Sequence, residues 1–231
     1  MSVRLLLRFA LAMLGVAGVA PTLAAATLSD WAESFGVAYQ FRSAGIPVKS
    51  YFAASARMLP TLAEGDVVLT DLGQAGVQPL RGELIVSRFD DKFVMIDRVI
   101  GLPGDRVGLR AGHVILNGND IAQEPAGTLE YDASGKHQIR NLFVESFPGA
   151  RPYKIAREAD GNPRHDDIPE TVVAPGYLYL LGDNRDNALD SRFQSRGQVK
   201  IEAVVGRVVY RMRPNAGWLV PRETVPQLPK E

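Results

Sequence analysis

Turn dipeptides set between short, branched, apolar runs constrain this chain more than any other feature. Pro103-Gly104 and Pro175-Gly176 suit type II turns, and Asn117-Gly118 suits a two-residue hairpin, because each needs a residue at positive φ. Arg81-Gly82 is a fourth break. Around these lie runs rich in Val, Ile, Leu and aromatic residues: 66–70, 84–88, 93–100, 114–116, 177–181 and the longer 204–212. Their lengths and bounding turns predict strands. From residue 51 onward the sequence therefore predicts a mainly β, antiparallel domain, ending at 213. Residues 118–170 are more polar, with Gly, Pro and charge scattered through them, and predict a hairpin-rich insertion. Residues 214–231 carry Pro214, Pro221, Pro226 and Pro229 and predict an extended tail over the surface. Ahead of the strands, residues 29–50 predict a short amphipathic helix and a linker. The helix covers 28–40, with Ser29 or Asp30 as its cap and Trp31, Phe35, Val37 and Ala38 as its apolar positions.

Composition narrows the function classes. Apolar residues make up 46% and charged residues 23%, the balance of a globular chain rather than a disordered one. Twenty-six basic residues face 26 acidic ones, so the net charge of zero offers no electrostatic footprint for nucleic acid. The absence of cysteine excludes disulfides, thiolate zinc sites and a cysteine nucleophile. His113, His137 and His165 are widely spaced, which argues against a histidine metal cluster and a histidine-based triad. No cofactor and no metal is expected.

The first 28 residues have a separate character. Arg4 and Arg8 flank a leucine-rich start, and the 20 residues from Phe9 to Leu28 carry no charge. At 1.5 Å per residue such a run can cross a bilayer. It is also built like a secretory signal, with a basic start, the apolar stretch FALAMLGVAGVA, Pro21 as a breaker and Ala24-Ala25-Ala26 as a small-residue cleavage site. Removable signal peptide and single membrane anchor both remain open. Either way Arg4 and Arg8 stay in the cytoplasm and Asp30 and Glu33 follow the chain across. The domain is expected in the periplasm, on the exported side of the cytoplasmic membrane, either anchored or secreted.

Four stretches, in order, resemble the bacterial type I signal peptidases, membrane-bound serine proteases that cut leader peptides from exported proteins. The first is Ser55-Ala56-Arg57-Met58-Leu59-Pro60-Thr61-Leu62 followed by Gly65-Asp66, similar to the family's Ser-Gly-Ser-Met-x-Pro-Thr-Leu box. The second is Arg81-Gly82-Glu83 leading into a strand. The third is Asp97-Arg98-Val99-Ile100-Gly101-Leu102-Pro103-Gly104-Asp105, like Lys-Arg-x-x-Gly-Leu-Pro-Gly-Asp. The fourth runs from Gly182-Asp183-Asn184-Arg185 through Asp186-Asn187-Ala188-Leu189 to Asp190-Ser191-Arg192, close to the family's signature. The resemblance implies a signal-peptidase-type antiparallel β fold and, for the family, a serine–lysine catalytic dyad. It also exposes three departures. The family's nucleophilic serine falls at Arg57, its general-base lysine at Asp97, and an accessory serine hydroxyl at Ala188.

Those departures bear on the chemistry. A lysine base must be neutral to accept the serine proton, so it sits desolvated with a depressed pKa. A guanidinium stays protonated and is no nucleophile. An ionised Asp97 has no hydroxyl at position 57 to act on. The resemblance therefore implies a lost dyad, and an Arg57–Asp97 bidentate ion pair is expected in its place. The bland alternative is two unrelated, solvated side chains. Ser55 matches the family's oxyanion-assisting serine. To attack instead, it would have to act two residues along an extended segment, against the ångström-scale tolerance of catalysis. Pairing Asp97 with Asp190 around water would need a shared proton, which a neighbouring Arg57 disfavours.

Ala53, Leu62, Met95 and Ile96 match positions that line the family's peptide groove, although core packing explains each equally well. Asp183, Arg185, Asp190 and Arg192 alternate in sign and are expected to brace the site as a charge-paired framework. The sequence thus leads to three functional readings: a non-cleaving relative that binds leader peptides or exported proteins, an active protease with a relocated nucleophile such as Ser55, and a structural periplasmic module.

Overall fold

The computed structural model describes residues 28–133, 135–213, 215–221 and 224–225. The main sheet has eight strands. Across it run Val48–Phe52 (β1), Val67–Asp71 (β2), Val204–Arg213 (β14), Leu84–Arg88 (β3), Val94–Gly101 (β4), Tyr177–Leu181 (β12) and Val199–Lys200 (β13). Gly217–Trp218 (β15) lies beside β14. Every ladder in it is antiparallel. A second sheet orders Ile168–Val172 (β11), Arg106–Arg110 (β5), His113–Leu116 (β6) and Asn119–Asp120 (β7). A third orders Tyr153–Arg157 (β10), Lys136–Ser146 (β9) and Ala122–Ala133 (β8). The molecule is mainly β and antiparallel.

Side-chain alternation distributes the core. On β12, Tyr179 and Leu181 pack with Ile100, Val107 and Phe147, whereas Leu178 and Leu180 pack with Ile85, Val99 and Val204. A strand buried on both faces needs a continuous apolar run, which is what YLYLL supplies. Asn117 and Gly118 both take positive φ, 54° and 81°, turning β6 into β7 as a primed hairpin requires.

The polar insertion is more ordered than its composition suggests. β8 and β9 form one long hairpin paired from Ala122↔Ser146 to Ala133↔Lys136, with β10 on its other side. Much of β8 and β9 is half-exposed, so apolar alternation is diluted and the strands escape a pattern search.

The helix Leu28–Ser43 (α1) extends three residues past its expected end. Its buried positions are Ser34, Val37 and Phe41, and Ser34 Oγ donates to the Met212 carbonyl at 2.6 Å. Trp31 and Phe35, expected on the core side, are exposed. The C-terminal stretch also departs from expectation. β15 pairs with β14, Trp218 meets the Phe41 and Tyr210 rings, and Val220 and Val225 are buried with Val37 and Phe41. The described residues 215–221 and 224–225 thus complete the core under α1 rather than trailing over the surface, and the rest of the expected tail lies outside the described residues. The single helical turn Pro163–Asp166 (α2) lies in the insertion. The uncharged N-terminal run lies outside the described residues apart from Leu28. Among the described residues, no helix is long and apolar enough to cross a membrane.

Candidate functional site

Three segments converge. A 3-10 turn, Ala56–Met58, follows the end of β1. Strand β4 carries Asp97 and Arg98, and the loop after β12 carries residues 182–192. The turn and the loop are joined through backbone: Asn184 N–H donates to the Arg57 carbonyl at 3.0 Å, and Asn184 Nδ2 donates to the Ala56 carbonyl at 3.0 Å. Gly182 has no room for a side chain there, since a Cβ would overlap the Ala188 methyl and approach the Arg57 carbonyl.

Arg57 and Asp97 meet at the junction. Arg57 Nη2 lies 2.6 Å from Asp97 Oδ1, with the side chains 12% and 0% exposed. The geometry is not a two-pronged fork. Nη1 donates to the Ile96 carbonyl at 3.1 Å and Nη2 to the Leu189 carbonyl at 2.7 Å, while neither Asp97 oxygen receives an aligned hydrogen bond. A second cation, Arg196, which the sequence reading passed over, stands 3.6 Å from Asp97 Oδ2 and donates to Ser87 Oγ at 2.7 Å. Burial pushes the Asp97 carboxyl above the usual carboxylate range. Arg57 and Arg196 pull it down, nearby Asp190 pushes it up, and burial prevails. Ala188 is buried beside this centre and offers no hydroxyl. Ser55 is exposed in extended backbone (φ −162°) and makes no side-chain cap to the turn it precedes.

Two of the framework residues pair outside their own loop and two within it. Asp190 pairs within it, accepting from Arg192 Nε and Nη2 at 2.8 Å each, and its Oδ2 also accepts from Gly182 N–H. Asp183 is gripped by Arg98 of β4 at 2.7 and 2.5 Å and accepts from Thr61 Oγ1. Arg185 makes a buried fork with Glu145 of β9 at 2.9 and 2.5 Å, and Glu145 also accepts from Tyr153 Oη and Gln123 Nε2. Burial alone would raise the Glu145 carboxyl. The Arg185 charge, backed by hydrogen bonds from Arg185, Tyr153 and Gln123, outweighs it and holds the carboxyl below its usual range. Thr61, Arg98 and Glu145 are thus part of the brace. Thr61 and Arg98 stand inside motifs quoted above, but Glu145 lies in a polar strand with no local signal.

Of the four positions expected to line a peptide groove, three are buried in the core. Ala53, Leu62 and Ile96 are buried with Met58, Val68, Leu84, Val86 and Val208, and only Met95 is half-exposed. A cavity of about 240 Å³ lies elsewhere, lined by Gln74, Leu80, Glu83, Val204 and Arg207 among others. Among the described residues, no group of three or more histidines and carboxylates is placed to hold a metal ion.

Comparisons with known proteins agree with the motifs. A family model described as signal peptidase, peptidase S26, matches residues 29–213. A signal peptidase I from Bacillus caldolyticus is 30% identical over 171 residues, covering 71% of this chain and 79% of its own. Another, from Pseudomonas fluorescens, is 30% identical over 186 residues, covering 69% of this chain and 63% of its own. Signal peptidase IB from Staphylococcus aureus is 28% identical over 190 residues, covering 81% and 90%. A crystal structure of a signal peptidase I from Enterococcus faecalis covers 57% of this chain and 97% of its own at 22% identity, with a TM-score of 0.33, too loose a superposition to bear on the fold.

Proposed function

This chain belongs to the signal peptidase, peptidase S26, family, and we propose that within it the chain keeps the scaffold and has lost the cutting chemistry. The observation that carries this reading is the closed Arg57–Asp97 contact. By resemblance, these are the positions of the attacking hydroxyl and the neutral amine. A guanidinium neither attacks a carbonyl nor takes a proton, and a carboxylate held between Arg57 and Arg196 is engaged as a counter-ion. For Ser55 as a relocated nucleophile, Asp97 is not a free proton acceptor, because both its oxygens face guanidinium groups.

What remains is peptide recognition. β1 is an edge of the main sheet and pairs only with β2 among the described residues, so its other side has backbone donors and acceptors for an added strand. A leader peptide or an exported protein segment, extended along β1, is the ligand of this reading. The uncharged run from Phe9 to Leu28 holds the domain at the exported face of the membrane.

The test is a turnover assay on the purified full chain with a leader-peptide substrate. No cleavage is expected, and Ser55→Ala should change nothing. Cleavage that disappears in Ser55→Ala would establish the relocated nucleophile. Failure to bind the uncut peptide would leave the structural module.

A further inference from the structure

The cavity of about 240 Å³ beside β14 is shaped by a β-bulge. Val204 pairs with Ser87 and Arg207 with Ile85, with a register shift between Val204 and Gly206. Three residues apart on a regular strand, Val204 and Arg207 would point to opposite faces. The extra residue brings both onto the face of Ser87 and Ile85, where they line the cavity. Asp97 pairs with Ile85 from the other side, so the cavity shares a sheet face with Asp97 and is separated from it by β3. None of the residues lining it takes part in the Arg57–Asp97 contact.

Exposed Val77 and Leu80 and buried Ile85 and Val204 give the cavity apolar walls. Its polar wall is an ion pair. Arg207 Nη2 lies 2.6 Å from Glu83 Oε1 and donates to Thr224 Oγ1 at 3.2 Å, and Glu83 Oε2 accepts from the Leu80 N–H at 3.1 Å. Arg207 Nε is buried with no acceptor among the described residues. A guanidinium has five N–H donors and no acceptor, so this wall is short of oxygen rather than of hydrogen. Burial pushes the Glu83 carboxyl above its usual range, against the pull of the Arg207 charge and the Leu80 N–H. Glu83 therefore opposes a second carboxylate less than an exposed glutamate would.

Size narrows the ligand. A water-sized group takes about 30 Å³, so the cavity has room for about eight heavy atoms. We propose that it binds a free short-chain monocarboxylic acid, with the apolar body against Val77, Leu80, Ile85 and Val204 and the carboxylate on Arg207. The guanidinium gives the acid oxygen a charge-assisted donor, and the apolar walls take the hydrocarbon chain. The orientation of the ligand is fixed by one polar wall in an otherwise apolar space.

Hexanoate and its neutral isostere hexanamide are the probes, titrated into the purified full chain and followed through its backbone amide resonances. Hexanoate should bind with a dissociation constant of about 1 mM, the reach of a ligand this small, and should shift the amides of Val77, Leu80, Glu83 and Arg207. Hexanamide should bind about tenfold more weakly. Gln74 lines the same cavity and is exposed, and Gln74→Glu leaves the Glu83–Arg207 pair in place. This change should weaken hexanoate about threefold by like-charge repulsion and leave hexanamide unaltered. Arg207→Gln should erase the preference for the acid. Where that variant does not fold, the response to Gln74→Glu decides, and equal weakening of both probes overturns the proposal. Equal affinity of the parent for the two probes also overturns it, in favour of an apolar pocket indifferent to charge. No shift at about 30 mM hexanoate, or shifts confined to the surroundings of Arg57 and Arg196, would do the same. Tighter binding of acetyl-glycyl-leucine than of hexanoate would overturn the free acid in favour of the carboxyl end of a peptide.

Discussion

Removing a guanidinium and a carboxylate from water costs several kcal/mol per ion, which their attraction offsets only when both are present. Asp97 is fully buried, so its worth to the fold depends on Arg57 and Arg196. Arg57→Ala is expected to destabilise the chain by about 3 kcal/mol, because a buried charge loses its closest partner. In the double variant Arg57→Ala/Asp97→Ala the loss should be smaller than the sum of the single losses by about 1–3 kcal/mol, and urea unfolding of the four proteins measures that coupling. Additive losses would mean the two side chains do not support each other. The pH dependence has a definite sign. Asp97 is raised above the usual carboxylate range, so the stability linked to its neutral form is present below the ordinary Asp value and fades as pH rises through the raised one. Without Arg57 that fading steepens, and the deficit of Arg57→Ala should be larger at pH 7 than at pH 4. Much of this centre was legible: Arg57 and Asp97 come from motifs whose spacing survived. Arg196 and the unforked geometry were not, because a guanidinium's reach across strands and its choice among carbonyls are set by tertiary packing.

At the scale of elements, the loop after β12 is held by carboxylate–guanidinium pairs to two other strands and by one pair within itself. Sign alternation along Asp183, Arg185, Asp190 and Arg192 indicated pairing, but only Asp190 and Arg192 pair with each other. Asp183 and Arg185 reach to β4 and β9, contacts separated by 85 and 40 residues in sequence, which no local pattern encodes. Glu145 lies below its usual range, so its contribution is full above the ordinary Glu pKa and is lost as pH falls through the lowered folded value. Glu145→Gln should cost about 3–5 kcal/mol at neutral pH by stranding buried Arg185, and should flatten the acid side of the stability profile. Chemical denaturation from pH 3 to 7 reads both effects. The strands around Leu62 show the opposite lesson. By motif Leu62 is a groove position, yet it has no exposure and packs among Met58, Val68 and Val208. Leu62→Ala should therefore destabilise by about 2–5 kcal/mol in a thermal or urea melt, whereas a groove-lining side chain would change little but peptide affinity.

Across the whole molecule, the antiparallel β class and six of the strands were readable because short branched runs and Gly turns are local signals. The runs 84–88 and 177–181 coincide with β3 and β12, 66–70 and 93–100 are shifted by one residue, 114–116 begins one residue late, and 204–212 ends one residue early. The long β8–β9 hairpin and the docking of Val220 and Val225 against α1 were not readable, since half-exposed strands and proline-rich segments take their order from what they pack on. The assembled picture is a family scaffold braced by ion pairs, with a further Arg57–Asp97 pair where the proposed reading places the lost reacting centre. Returning that centre to Arg57→Ser/Asp97→Lys tests this most directly, because Arg196 beside position 97 would favour a neutral lysine by like-charge repulsion. The measurement is leader-peptide cleavage by the full-length parent and the double variant side by side. The account predicts no cutting by the parent and measurable cutting by the variant. Cutting by the parent, or a folded variant that still does not cut, would contradict it.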